Sequence, residues 1–214
     1  MQLKHKSWAI FTRETQKEKL RDIKVRGLIS KYIVKQLGCR LALFFSRTQR
    51  ERTTLVKNAL ALLGDKKLKG KPHYKVYANG LSSGLRTCDG GEFVKREWLY
   101  DLHWYTEVKG CHYRPIGLPL VVECEWEPNR RKEKTKVPYS GIKFDFQKLL
   151  VANASLRLMV FIKRKRDELS ELDEYFGKAI ESCRNLKANS QFLFVAFEEE
   201  KKRFHYAQKV KWRK

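Results

Sequence analysis

Residues 117–128 read GLPLVVECEWEP. Leu120, Val121 and Val122 follow an opening proline as the interior of a buried β-strand would. Glu123, Glu125 and Glu127 are set into the same run. Residues two apart in a strand share a face, so the three glutamates project together while Leu120, Val122, Cys124 and Trp126 face the other way. Like charges this close repel and raise one another's pKa. Acids are also the scarce charge here, with 47 Lys and Arg against 24 Asp and Glu. A core-like strand carrying several of them implies a cation between them, and Mg²⁺ prefers carboxylate oxygens and water. A solvated acidic edge is the ordinary alternative. It fits Glu127, which adjoins the charged loop PNRRKEKTK.

Upstream, apolar positions recur at helical spacing through Leu28, Ile29, Tyr32, Ile33 and Leu37, and a second helix is expected over about 47–63. The basic, breaker-rich GDKKLKGKP follows. The period then becomes two. HYKVYA alternates, CDGGEF is a turn, and VKREWLYDLHWYTE reads as one strand. Trp98, Tyr100, Leu102 and Trp104 would share one of its faces, and Glu97, Leu99, Asp101 and His103 the other. Downstream come a short helix in FDFQKLLVANA, a strand in LRLMVFI and an amphipathic helix in ELSELDEYFGKAIESC. Two strands, FLFVAFEE and RFHYAQKVKW, close the chain. This order predicts an α/β fold, a mixed central β-sheet flanked by helices. The division expected is a helical segment over 1–45 and the α/β domain over 46–214.

Asp101 is the second acid of interest. Aspartate is disfavoured in strands and costly when buried without a partner. A metal shared with Glu123 would offset that cost, as would a hydrogen bond or an arginine. Lys148, in KFDFQKLL, opens the helix after the acidic strand, within reach of its end. A lysine there can stabilise an attacking hydroxide and the charge on a phosphorane. Asp145 in the same stretch reads as an acid near the helix N-terminus, complementing the dipole.

The pieces REWLYDLHW, VVECEW and DFQKLL, in this order of helix, strands, helix and strand, resemble the PD-(D/E)XK superfamily of restriction-endonuclease-like nucleases. The resemblance covers roughly residues 45–165. It implies a restriction-endonuclease-like core, with Asp101 and Glu123 binding Mg²⁺ or Mn²⁺. The family's lysine falls two residues after that glutamate, where this chain has Glu125. Lys148 stands where divergent branches supply the lysine from the next helix, and Glu125 would then be a further ligand. Many members also carry a glutamate on the first core helix, and Glu51 is the acid in that position here. The implied activity is metal-dependent hydrolysis of phosphodiester bonds in DNA, with RNA second. A nucleic-acid-binding protein that keeps the fold without catalysis is the alternative.

The net charge of +23 agrees with a polyanionic partner. Basic clusters occur in RTQRER, KKLKGK, RRKEKTK, KRKR and KVKWRK, and such contacts give affinity without sequence specificity. Tryptophans and tyrosines could stack on unpaired bases, although most aromatic residues serve a core. An anionic membrane surface is a rival partner, with the helical stretch from Thr15 to Leu37 as its candidate. No apolar run is long enough for a membrane span, and the start has no signal-peptide pattern. The five cysteines form no CxxC pair and fit reduced thiols, so the expected compartment is the cytoplasm. His103, Cys111, His112 and Cys124 match no zinc spacing, and GLSSGLRTCDGG is no phosphate-binding P-loop. Oligomeric state stays open, a homodimer being one option.

Overall fold

The computed structural model describes all residues except 1–7, 18, 46, 67–73, 97, 112–113, 130–136, 166 and 213–214. The described part is an α/β structure built on one seven-stranded mixed sheet. In chain order the elements are β1 (Ala9–Phe11), α1 (Leu28–Cys39), α2 (Gln49–Asp65), β2 (Lys75–Ala78), β3 (Leu102–Glu107) and β4 (Pro115–Glu125). Then follow α3 (Ser140–Val151), β5 (Ala154–Lys163), α4 (Glu168–Ser182), β6 (Gln191–Glu198) and β7 (Arg203–Val210). Short 3₁₀ turns at Glu14–Lys17, Leu20–Asp22 and Leu41–Leu43 fill the N-terminal connections.

The strand order is β1-β7-β6-β5-β4-β3-β2. The β4–β5 and β5–β6 pairs are parallel and all the others antiparallel. Helices α3 and α4 are thus the two crossovers, made in the same direction along the sheet, which puts both on one face. Ile142, Phe146 and Leu149 of α3 and Leu172, Phe176 and Ile180 of α4 accordingly share a core with Met159, Phe161 and Phe194. Ile33, Val34 and Leu37 of α1 and Val56, Leu60 and Leu63 of α2 cover the other face, against Leu120, Val122, Leu158, Val160 and Val195. β5 is apolar from Leu158 to Ile162 because both its faces are buried there.

β1, absent from the sequence-based expectation, pairs with β7, and Phe11 stacks on Phe204. It is three residues long, too short to show a period. The segment 9–45 thereby adds a strand to the sheet and α1 to the same core. Two expectations need correction. The strand read in VKREWLYDLHWYTE begins only at Leu102, and Trp98–Asp101 form a bend. The alternation fails there, since Leu102 and Trp104 join the α1/α2 core while Tyr100 joins the α3/α4 core. Helix α3 starts at Ser140, so Asp145 lies inside it and is no N-terminal cap. Among the described residues, no helix is long and apolar enough to cross a membrane.

Candidate active site

The sheet register sets the position of the acids. Glu123 pairs with Met159 and Glu125 with Phe161, so both sit on the face covered by α3. Leu120, Val122 and Trp126 point into the opposite core, as the spacing requires. Glu123 is only 2% exposed. Its Oε2 accepts a hydrogen bond from Lys148 Nζ at 3.1 Å, whereas its Oε1 is buried with no partner among the described residues. Burial first, then the charge of Asp101, pushes its pKa up to about 8, against the opposing pull of Lys148. Glu125 rises to about 7, chiefly through burial, with Asp145 adding to the rise. Its Oε1 accepts the backbone N–H of Glu127 at 2.7 Å.

Asp101 lies at the lip of β3, one residue before the strand. Its Oδ2 accepts the N–H of Cys124 at 2.8 Å, taking a bond that a longer β3 would have made to β4. Held at the strand end, the carboxylate can be approached from both sides of the sheet. Glu123 crowds it from one side, and Lys57 Nζ of α2 stands 3.4 Å from its Oδ1. Lys57 is nearly buried and also donates to Asn79 O at 3.2 Å. From α3, Lys148 reaches Asp145 Oδ1 at 2.8 Å, one helical turn away, as well as Glu123. Burial opposes the Lys148 charge, but its bond to Asp145 and the charge of Glu123 raise its pKa, so it stands as an ammonium. Close approach of α3 to β4 depends on Gly141, where a Cβ would fall 2.3 Å from Glu127 O.

The structure therefore brings together Asp101, Glu123, Glu125 and Lys148, and adds Asp145 and Lys57. Glu51 stands apart from them. Its carboxylate closes a capping box with Thr48 at the start of α2 and pairs with Arg47 at 3.2 Å. Glu127, at the mouth of the charged loop, accepts from Gln49 Nε2 at 2.9 Å. His103 is not in the acid cluster either; its ring is packed among Tyr77, Trp98 and Tyr105. His112, the loop KKLKGK after its first lysine, and the loop RRKEKTK lie outside the described residues.

Lys57 was legible in principle. It directly follows Val56 and precedes Leu60 by three, which puts it within the buried stripe of α2. Asp145 and Lys148 carry the i,i+3 spacing of a helical ion pair.

Among the described residues, no three His, Cys, Asp or Glu groups stand as a ready metal cage. Two ammonium groups lie among the carboxylates instead. The donor set nonetheless suits a hard cation. Its oxygens are carboxylates, two of them have raised pKa values, and the buried Glu123 Oε1 has no partner.

Compared with protein-family models, curated proteins and solved structures, the chain matches none.

Proposed function

We propose that the chain is a metal-dependent phosphodiesterase acting on DNA, with RNA the second choice, and that its core is of the restriction-endonuclease-like kind. The observation that carries this reading is the buried, half-unpaired Glu123 beside Asp101 at the carboxyl end of β4. Open α/β sheets bind ligands beyond the carboxyl ends of their parallel strands.

In this reading Asp101 and Glu123 hold a Mg²⁺ or Mn²⁺ ion, and Glu125 contributes directly or through water. The ion supplies a lowered water pKa and charge screening at phosphate. Lys148 is an ammonium, so it orients the attacking water and stabilises negative charge on the phosphoryl oxygens. It has no free lone pair with which to take a proton. That task falls to a carboxylate, and Glu125 is the one on the same strand face as Glu123. Lys57 fixes Asp101 from the α2 side. Exposed basic residues grip the backbone without reading sequence.

The test is cleavage of plasmid and single-stranded DNA with Mg²⁺, with Mn²⁺ and with EDTA. Asp101→Ala and Glu123→Ala abolish metal-dependent cleavage and keep DNA binding. Cleavage that survives both changes sinks the assignment. One observation favours a second reading, a DNA-binding protein without catalysis. Glu125 stands where the resembled family has its lysine, and Lys57 and Lys148 already neutralise part of the acid cluster. Salt-sensitive binding with no metal effect would be its signature.

A further inference from the structure

Beside the acid cluster, β3 carries a group that the acid chemistry leaves unused. His103 sits opposite Val121 of β4 and Tyr77 of β2 and is fully buried. Neither ring nitrogen has a hydrogen-bond partner. An unpaired buried nitrogen is costly, and a phenylalanine in the same space would avoid that cost. Burial holds the ring's pKa down at about 4, so it is neutral. The ring stacks on Tyr77 with centroids 5.2 Å apart and planes at 16°.

Trp98 covers these rings. Its centroid is 4.5 Å from His103, 6.0 Å from Tyr77 and 6.4 Å from Tyr105. The indole packs against the three rings at tilts of 35°, 47° and 37° to His103, Tyr77 and Tyr105, yet it is 55% exposed. A tryptophan serving only the core would bury the open side and gain the corresponding apolar area. The bend Trp98–Asp101 links it directly to the Asp101 carboxylate. Lys95 and Arg96, three and two residues before it, are exposed, and Lys95 pairs with Glu92 at 3.8 Å.

We propose that Trp98 is a stacking platform for one unpaired base of a nucleic-acid strand whose phosphate lies at the acid cluster. The proposal rests on the phosphodiesterase reading and names its substrate class, a strand that is single or locally unpaired at the site. The occupant follows from charge and shape together. A net charge of +23 favours a polyanion over an apolar protein surface. A base offers a π-face of matching kind, whatever its identity. Packing against the three rings fixes the indole in advance, so little side-chain freedom is lost on stacking. Bases within a duplex have no free face until they are unstacked.

The experiment uses the full chain in EDTA, with a fluorescein-labelled oligothymidylate and a duplex of the same length. Trp98→Ala weakens single-strand binding about tenfold and duplex binding less than about twofold, the scale of one lost base stack. The oligothymidylate quenches the tryptophan emission of the wild type. Trp98→Phe keeps a ring, so its affinity stays within about threefold while most of the quenching disappears. Equal losses on both substrates, no loss on either, or quenching that persists in Trp98→Phe overturns the proposal. If Trp98→Ala fails to fold, the Trp98→Phe comparison decides alone. The Mg²⁺ cleavage assay is read separately. Duplex cleavage without any effect at Trp98 overturns the platform and spares the nuclease reading. A selective single-strand loss in a protein that never cleaves supports the platform and sinks only the nuclease reading.

Discussion

Glu123 and Glu198 are both buried glutamates near the carboxyl ends of parallel strands of one sheet, and their surroundings are opposite. Glu198 ends β6, and every side chain paired with it is basic. Lys163 Nζ reaches its Oε1 at 3.1 Å, and Arg203 Nε and His205 Nε2 reach its Oε2 at 2.6 and 2.8 Å. Burial alone would raise its pKa, but those hydrogen bonds hold it down at about 2. Glu123 has one lysine, acids for its other neighbours, and an oxygen with no partner; its pKa goes up to about 8. The same side chain, equally buried, is in one place a completed ion-pair network and in the other an unfinished site. Buried atoms without a partner also occur at Arg157 and Glu168, so what marks Glu123 is the missing partner together with the crowding of other acids around it.

The largest expected effect tests the completed network. Glu198→Ala leaves Lys163 buried without its counter-charge and costs about 3–5 kcal/mol in urea unfolding. Its effect on cleavage follows only from lost folding. A loss below about 1 kcal/mol would show that the network is not structural.

Next comes the pH dependence, where the two glutamates have opposite signs. The folded pKa of Glu198 lies below the ordinary value of 4.5, so its stabilisation is present above that value and is lost as pH falls through about 2. The folded pKa of Glu123 lies above 4.5, so the stability it lends is complete below 4.5 and is lost as pH rises through about 8. In EDTA the wild type should lose about 2–3 kcal/mol more than Glu123→Gln between about pH 5 and about pH 9. Parallel stability curves for the two proteins would remove the contrast.

The smallest effect on stability is expected at Lys148. Lys148→Met leaves Glu123 free to take a proton instead of standing as an unpaired buried charge. Stability at neutral pH in EDTA should therefore change by less than about 1 kcal/mol. The pH window assigned to Glu123 moves upward, because the lysine was opposing its rise. Cleavage falls sharply all the same. Unfolding curves across pH, with the cleavage assay beside them, read both effects.

The acidic strand was legible because alternation is a local property. Glu123 against Val122 fixes the face, and the register to Met159 follows once β5 is parallel. The run from Val94 to Glu107 was misread at its start. Aromatic residues at every second position imitate a strand, but Trp98 and Tyr100 satisfy tertiary contacts on a bend. That error also placed Asp101 within a strand rather than at its lip, where its carboxylate takes the Cys124 N–H. Lys57 was passed over because a lysine in an amphipathic helix reads as solvent-facing. Its partner is more than forty residues away in sequence, and only the packing of α2 against the sheet brings the two together. Glu51 drew notice by its helix, but Thr48 three residues earlier already implied a capping box.

The central claim is that the acid cluster at the end of β4 holds a divalent cation. Calorimetric titration of Mn²⁺ into the wild type and into Glu123→Gln, both first stripped with EDTA, tests it most directly. Saturable binding to the wild type is expected, and Glu123→Gln loses it or weakens it by about a hundredfold, since one charged ligand becomes neutral. Identical titrations for the two proteins, or no binding to either, would contradict it.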